Sequence, residues 1–180
     1  MTARNFKTRT PKLLELEELT EYAARSLGAR AQTSSELREK LKRRAARASD
    51  ADLVIARLKD AGLLNDRRFA ESFAHGRRDN EGLGKARVLR DLMNRRVAPA
   101  LARDAADAAF RGADEIAMIE RFLERKYRGK DLAALLQEDK HLASAYRRLR
   151  GAGFTMGNSI RVLKRYAAEA DRLEEMEPPE

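Results

Sequence analysis

Six cations crowd the segment from Glu36 to Arg47: Arg38, Lys40, Lys42, Arg43, Arg44 and Arg47, against two acids. From Gly84 to Arg96 lie Lys85, Arg87, Arg90, Arg95 and Arg96, with Asp91 the sole acid. Lys140, Arg147, Arg148, Arg150, Arg161, Lys164 and Arg165 repeat the pattern near the C-terminal end. Such rows make no bonds in a substrate. They hold phosphates, releasing counterions as they do so, or they meet acidic protein surfaces. For any one helix a solvated face is the ordinary reading. Recurrence at comparable places in three segments favours a row of contacts along a partner. Arg43, Arg44, Lys85, Arg87, Arg95 and Arg148 are the expected contacts, being dense and off the apolar stripes. Arg67 and Arg68 join them, because they sit between a helix cap and an aromatic pair.

Other chemistries find little support. Gly82-Leu83-Gly84-Lys85 lacks the Gly-x-x-x-x-Gly-Lys-Ser/Thr spacing of a nucleotide loop, and Ala86 stands where the hydroxyl belongs. A weaker reading keeps this helix start, with Lys85 and Arg87, as a phosphate holder. Plain turn glycines are the stronger expectation. His75 and His141 stand alone, and cysteine is absent, so no thiolate metal site, disulfide or cysteine nucleophile exists. Asp104 and Asp107 fit a helix surface. No nucleophile–base pair can be assigned, and neither a cofactor nor a catalytic residue is expected.

The elements that must carry these cations are helical. The chain has 180 residues, a formal charge of +9, and 43% apolar, 37% charged and 6% aromatic residues. So few aromatics suit thin helical layers better than one thick core. Leu16, Leu19, Ala23 and Leu27 share a helix face, as do Leu37, Leu41 and Ala45, then Leu89, Leu92 and Arg96, then Ile116, Ile119, Leu123 and Tyr127. No stretch alternates as a strand would, so no sheet is expected. Thr33-Ser34-Ser35-Glu36 reads as a capping box, Ser49 or Asp50 as a cap, and Pro99 as a first helical residue. Gly153 and Thr155 suit a stop followed by a start. No apolar run is long enough to span a membrane, and cytoplasmic placement is the simplest expectation.

The helices group in threes: near 12–29, 34–47 and 50–61; near 65–79, 84–96 and 98–110; near 113–128, 139–151 and 155–170. Leu132, Leu135 and Leu136 belong to a short insertion in the third group. In the last two groups a basic helix, a short break and an amphipathic helix recur, with Leu92 matching Leu149 and Val97 matching Phe154. A period of roughly 50 residues points to stacked tandem units. The expected division is a disordered basic arm (1–11), three-helix repeats at 12–61, 62–111 and 112–170, and an acidic tail (171–180).

Gly62-Leu63-Leu64-Asn65-Asp66-Arg67-Arg68-Phe69-Ala70 joins the first two units and reads at every position. Gly62 ends a helix, Leu63 and Leu64 plug a core, Asn65 or Asp66 caps the next helix, and Phe69 and Phe73 share its buried face. With Gly84, Arg87, Leu89, Leu92 and Val97 downstream, this stretch closely resembles the central repeat of the RecX family, regulators of the RecA recombinase. The looser similarity runs from Leu19 to Ala168. The resemblance implies an all-α, elongated, curved array of three tandem three-helix repeats, helix-turn-helix-like, without a sheet. It implies a monomeric, non-enzymatic regulator that docks in the groove of the RecA–single-stranded-DNA filament and limits strand exchange, ATP hydrolysis and coprotease activity in DNA repair and the SOS response. It also implies weak, sequence-tolerant affinity for bare DNA, single-stranded first and double-stranded second. The alternative is a free-standing DNA-binding protein or transcriptional regulator built from the same units; a third reading, a helical enzyme, would need a closed polar pocket.

An array has a scattering signature. A compact chain of this length has a radius of gyration of about 16 Å. Small-angle scattering of the monomer should give a clearly larger value, and a compact value would exclude the elongated arrangement.

Overall fold

The computed structural model describes residues 12–167 and residue 170; the expected basic arm and acidic tail lie outside them. Among the described residues the chain is all-helical: α1 Leu16–Ala29, α2 Ser34–Lys42, α3 Ala48–Asp60, α4 Asp66–Asp79, α5 Lys85–Asn94, α6 Pro99–Phe110, α7 Glu115–Lys126, α8 Leu132–Leu136, α9 Asp139–Gly151 and α10 Met156–Leu163. These form tandem three-helix repeats, with α8 inserted into the last. Two compact units divide the chain between Phe69 and Ala70, inside α4.

In the first unit, Leu19 and Ala23 of α1, Leu37 and Leu41 of α2, and Val54, Ile55 and Leu58 of α3 form one core. Thr33 caps α2 as its spacing predicts: its side chain accepts the Glu36 N–H, and Glu36 accepts the Thr33 N–H. Asp50 instead sits in the first turn of α3, buried against Arg47. Leu14 forms an isolated bridge with the loop after α2, donating its N–H to Arg44 at 2.7 Å and accepting from Ala46 at 2.9 Å. That bridge accounts for two shortened helices. Residues 12–15 and 43–47, expected to be helical, are drawn into extended and turn backbone.

The connector after α3 follows the predicted chemistry with one exchange. Gly62 adopts a φ of +68°, which its missing Cβ permits. Gly62 N–H reaches the Lys59 carbonyl and Leu63 N–H the Leu58 carbonyl, the paired bonds that close a helix C-terminus. Asn65 caps α4, accepting the Arg68 N–H at 2.9 Å, while Asp66 turns to the start of α2 and accepts the Ser34 N–H at 2.7 Å. Only Leu64 plugs the core, at 3% exposure; Leu63 is 61% exposed. Leu63 takes the position whose N–H closes the helix, and the next residue turns inward. Phe69 and Phe73 are half-buried rather than buried.

In the second unit, Ala70 and Ala74 of α4 and Ala102, Ala105, Ala106 and Ala109 of α6 are buried, as are Val88, Leu92 and Val97. The alanines of α6 leave room for its close packing on α5. The third repeat buries larger side chains: Ile119, Leu123, Leu136, Leu149, Phe154, Ile160 and Leu163. The predicted match of Leu92–Val97 with Leu149–Phe154 is a shared helix ending. Val97 N–H bonds to the Leu92 carbonyl at 3.1 Å, and Phe154 N–H to the Leu149 carbonyl at 3.2 Å. Gly153 supplies the positive φ in the second case, and Arg96 in the first, at +57°. The last helix, expected to reach residue 170, ends at Leu163, followed by a turn at residues 164–166.

The start of α5 lies against the turn between α9 and α10. Gly84 donates its N–H to the Ala152 carbonyl at 2.8 Å, and Ala86 donates to Gly153 at 3.3 Å. A Cβ on Gly84 would strike the Gly153 carbonyl, and one on Gly153 would strike the Arg87 backbone. Gly28, by contrast, has open space around it. Gly84→Ala should therefore destabilise by about 1–3 kcal/mol through forced overpacking. Gly28→Ala should be neutral or stabilise by about 0.5–1 kcal/mol. Urea denaturation of both variants checks this, and equal midpoints would refute the close-approach reading.

Candidate functional site

The eight cations expected to contact a partner fall into distinct settings. Arg43 is the C-cap of α2 and Arg67 lies in the first turn of α4; both are exposed, with no partner among the described residues. Arg148, near the end of α9, is likewise exposed and unpartnered. Leu41 and Leu149, next but one to Arg43 and next to Arg148, are buried.

The other five have intramolecular partners. Arg44 stands over the Tyr22 ring at 5.4 Å, with Lys40 at 5.5 Å from the same ring. Arg68 donates to the Gly62 carbonyl at 3.3 Å, tying α4 to the end of α3. Lys85 pairs with Asp107 across 2.6 Å, linking α5 to α6. Arg95 lies over the Phe73 ring at 5.6 Å, and Arg77 lies over it at 5.0 Å. A ring faced by two guanidiniums stays half-buried without a hydroxyl or water-seeking edge. The Asp104 and Asp107 expected on a helix surface are indeed exposed.

Arg87 is the most engaged. Its Nε reaches Asp91 Oδ1 at 3.0 Å, and its Nη1 reaches the Gly151 carbonyl at 3.3 Å. Asp91, whose side chain is only 10% exposed, also faces Arg77 Nη2 at 3.4 Å. The single acid of the second basic row is thus a buried junction between α4 and α5. The N–H groups of Gly84 and Ala86 are donated to carbonyls of the α9–α10 turn, so the start of α5 is a packing joint. The turn glycine is Gly82, with a φ of +64°.

Selection by density missed three cations of the same rows. Arg90 on α5, Arg147 on α9 and Arg161 on α10 are exposed and unpartnered among the described residues. The signal that separates them from Arg87 is helical spacing to acids: Arg87 has Asp91 four residues on, and no acid lies three or four residues from Arg90, Arg147 or Arg161. Because Arg87 bonds the last turn of α9, Arg90 on α5 and Arg147 and Arg148 on α9 flank one joint. The arrangement can bind an anionic surface by charge. No cluster of metal-ligating side chains occurs among the described residues, and no helix among them is long and apolar enough to cross a membrane.

Three comparisons with known proteins bear on the chain as a whole. Residues 65–105 match the model of the RecX second three-helix domain. The chain is 31% identical over 157 residues to a protein of Amycolatopsis mediterranei named regulatory protein RecX, spanning 83% of this chain and 85% of that one. A Deinococcus radiodurans protein of the same name is 40% identical over 91 residues, covering 49% of this chain and 43% of that one. The crystal structure of RecX from Lactobacillus salivarius superposes with a TM-score of 0.61 at 16% identity, over 84% of this chain and 96% of the other.

The two kinds of arginine separate on substitution. Arg87→Ala leaves Asp91 short of a charged donor and should cost about 1.5–3 kcal/mol. Arg148→Ala should stay within about 0.5 kcal/mol of the parent. Chemical denaturation reads both, and an Arg87→Ala variant as stable as Arg148→Ala would show that the Asp91 joint is not structural.

Proposed function

The chain belongs to the RecX family, and from that premise we propose that it docks on the RecA–single-stranded-DNA filament and restrains it. In this reading it lies in the filament groove, bridges neighbouring RecA protomers, and limits strand exchange, ATP hydrolysis and coprotease activity. The observation that carries the proposal is the distribution of exposed, unpartnered arginines: Arg43 and Arg67 in the first unit, and Arg90, Arg147, Arg148 and Arg161 in the second. Each repeat offers cations to a partner. Several weak contacts on one chain add through effective concentration, which suits a polymeric target. Repair and the SOS response are where a RecA filament is active, and the cytoplasm is where it forms. The protein acts as a monomer without a cofactor.

A free-standing transcriptional regulator predicts different behaviour: tight, sequence-selective duplex binding without RecA. The filament reading predicts weak, salt-sensitive and sequence-tolerant affinity for bare DNA.

The test is ATP hydrolysis by RecA on single-stranded DNA, followed with and without the protein at several salt concentrations. Hydrolysis should fall in its presence. The folded double variant Arg43→Glu/Arg148→Glu should inhibit about tenfold less well, since two charge-assisted contacts are reversed. Unchanged hydrolysis with the wild-type protein would sink the proposal. Undiminished inhibition by the variant would move the contact elsewhere on the chain.

A further inference from the structure

A cleft of about 380 Å³ lies in the second unit, between the C-terminal end of α4 and one face of α7. Met118 and Phe122 are among its apolar lining. Phe122 is held edge-to-face on the buried Phe154, with ring centroids 5.5 Å apart and planes at 75°. Three arginines line the cleft, and two of them are consumed by the fold. Arg78 makes a two-pronged pair with Asp79, at 2.6 and 3.1 Å, and also donates to the Ala109 carbonyl. Arg125 donates to the carbonyls of Asn80 and Glu81, covering the end of α4, and lies across Gly82 where a side chain would collide with it.

Arg121 is different. Its Nε donates to the Ala117 carbonyl one turn back, at 3.2 Å. That bond fixes the plane of the guanidinium and leaves its two terminal nitrogens without partners among the described residues. The rim carries Asp79 and Asp114. Asp79 is held below the usual carboxylate range by its hydrogen bonds to Arg78, and Asp114 caps α7 by accepting the Ala117 N–H at 3.1 Å.

We propose that this cleft receives a side-chain carboxylate next to an apolar or aromatic residue on a partner protein, with Arg121 gripping the acid and Met118 and Phe122 seating its neighbour. Three features choose protein over nucleic acid. One open guanidinium matches one carboxylate in a two-pronged geometry. Asp79 is already compensated by Arg78, so the remaining rim acid, Asp114, opposes a single carboxylate once but a phosphodiester strand at every step that it lays along the rim. The volume lies at the low end of the range for small-ligand pockets, room for one or two side chains. The partner is identified with the RecA filament only through the function proposed above, so the experiment separates the two claims.

The first arm measures binding of the full-length protein to RecA filaments on single-stranded DNA, and to the DNA alone. Arg121→Glu and the plug variant Ala113→Trp should each weaken filament binding by about tenfold. Both should leave affinity for DNA alone within about twofold of wild type, because the charge rows are untouched. Unaltered filament binding by both variants, once folding is confirmed by thermal denaturation, overturns the proposal. An equal loss on DNA alone also overturns it, in favour of a nucleic-acid occupant. The second arm does not need RecA. N-acetyl-Phe-Asp-amide titrated into the protein should shift the Met118 methyl and Arg121 Nε resonances in wild type but not in Ala113→Trp. Absent shifts, or equal shifts with N-acetyl-Phe-Lys-amide, overturn the cleft assignment even if the filament is bound. Shifts with the peptide but no binding of wild type to the filament would keep the cleft and discard the RecA reading.

Discussion

The backbone contact between Gly84 and Gly153 sets what the second unit can be. Helix ends leave carbonyls without partners, and the ordinary solutions are water or a capping side chain. Here the carbonyls after α9 are met by N–H groups from the start of α5, in the preceding repeat. Such an arrangement needs main chain against main chain, and a Cβ at either glycine closes the gap. Arg87 then crosses the same joint to the Gly151 carbonyl while holding Asp91. One geometric requirement therefore couples two glycines, an arginine and a buried acid that lie far apart in sequence. It also fixes which faces of α5 and α9 remain exposed, and so where Arg90, Arg147 and Arg148 emerge.

Much of the fold was legible because helices announce themselves locally. Periodicity, the Thr33–Glu36 box, Pro99 and Gly153 located elements to within a few residues, and the matched Leu–Val and Leu–Phe pairs revealed a repeated helix ending. The errors came from contacts distant in sequence. Nothing within residues 12–15 signals that Leu14 will pair with the loop beyond α2, and nothing local distinguishes Leu63 from Leu64. Asp66 makes the same point: as a cap candidate it looked equivalent to Asn65, but its carboxylate serves a helix 32 positions earlier.

The candidate surface was harder to read, because arginine has two uses that sequence does not separate. A guanidinium presents five donors and a flat face, so it satisfies carbonyls and covers aromatic rings as readily as it binds phosphate. This chain uses Arg68, Arg78, Arg87 and Arg125 on helix-terminal carbonyls and Arg44, Arg77 and Arg95 on rings. A large share of the charge that suggested a polyanion partner is therefore internal mortar. The spacing of Arg87 to Asp91 at i, i+4 was a visible hint; the reach of Arg87 to Gly151 was not.

That division of labour has a consequence for affinity. Cations left over after the structural ones are satisfied are few per repeat and solvent-exposed, and an exposed ion pair contributes about 1 kcal/mol or less. No single one can hold a partner. A target that repeats, engaged by several repeats of one chain, turns such contacts into a cooperative grip, because once one repeat is seated the next binds at high effective concentration. The rigid joint at Gly84 and Gly153 strengthens this within the second unit, since cations fixed relative to one another lose less freedom on binding than cations on a loose tether. Under the docking proposed above, a single short DNA site would engage one repeat's charges and leave unused the spacing that the glycines enforce within the second unit. Charge recurring by repeat, held on a stiff joint, is the arrangement that a periodic partner rewards.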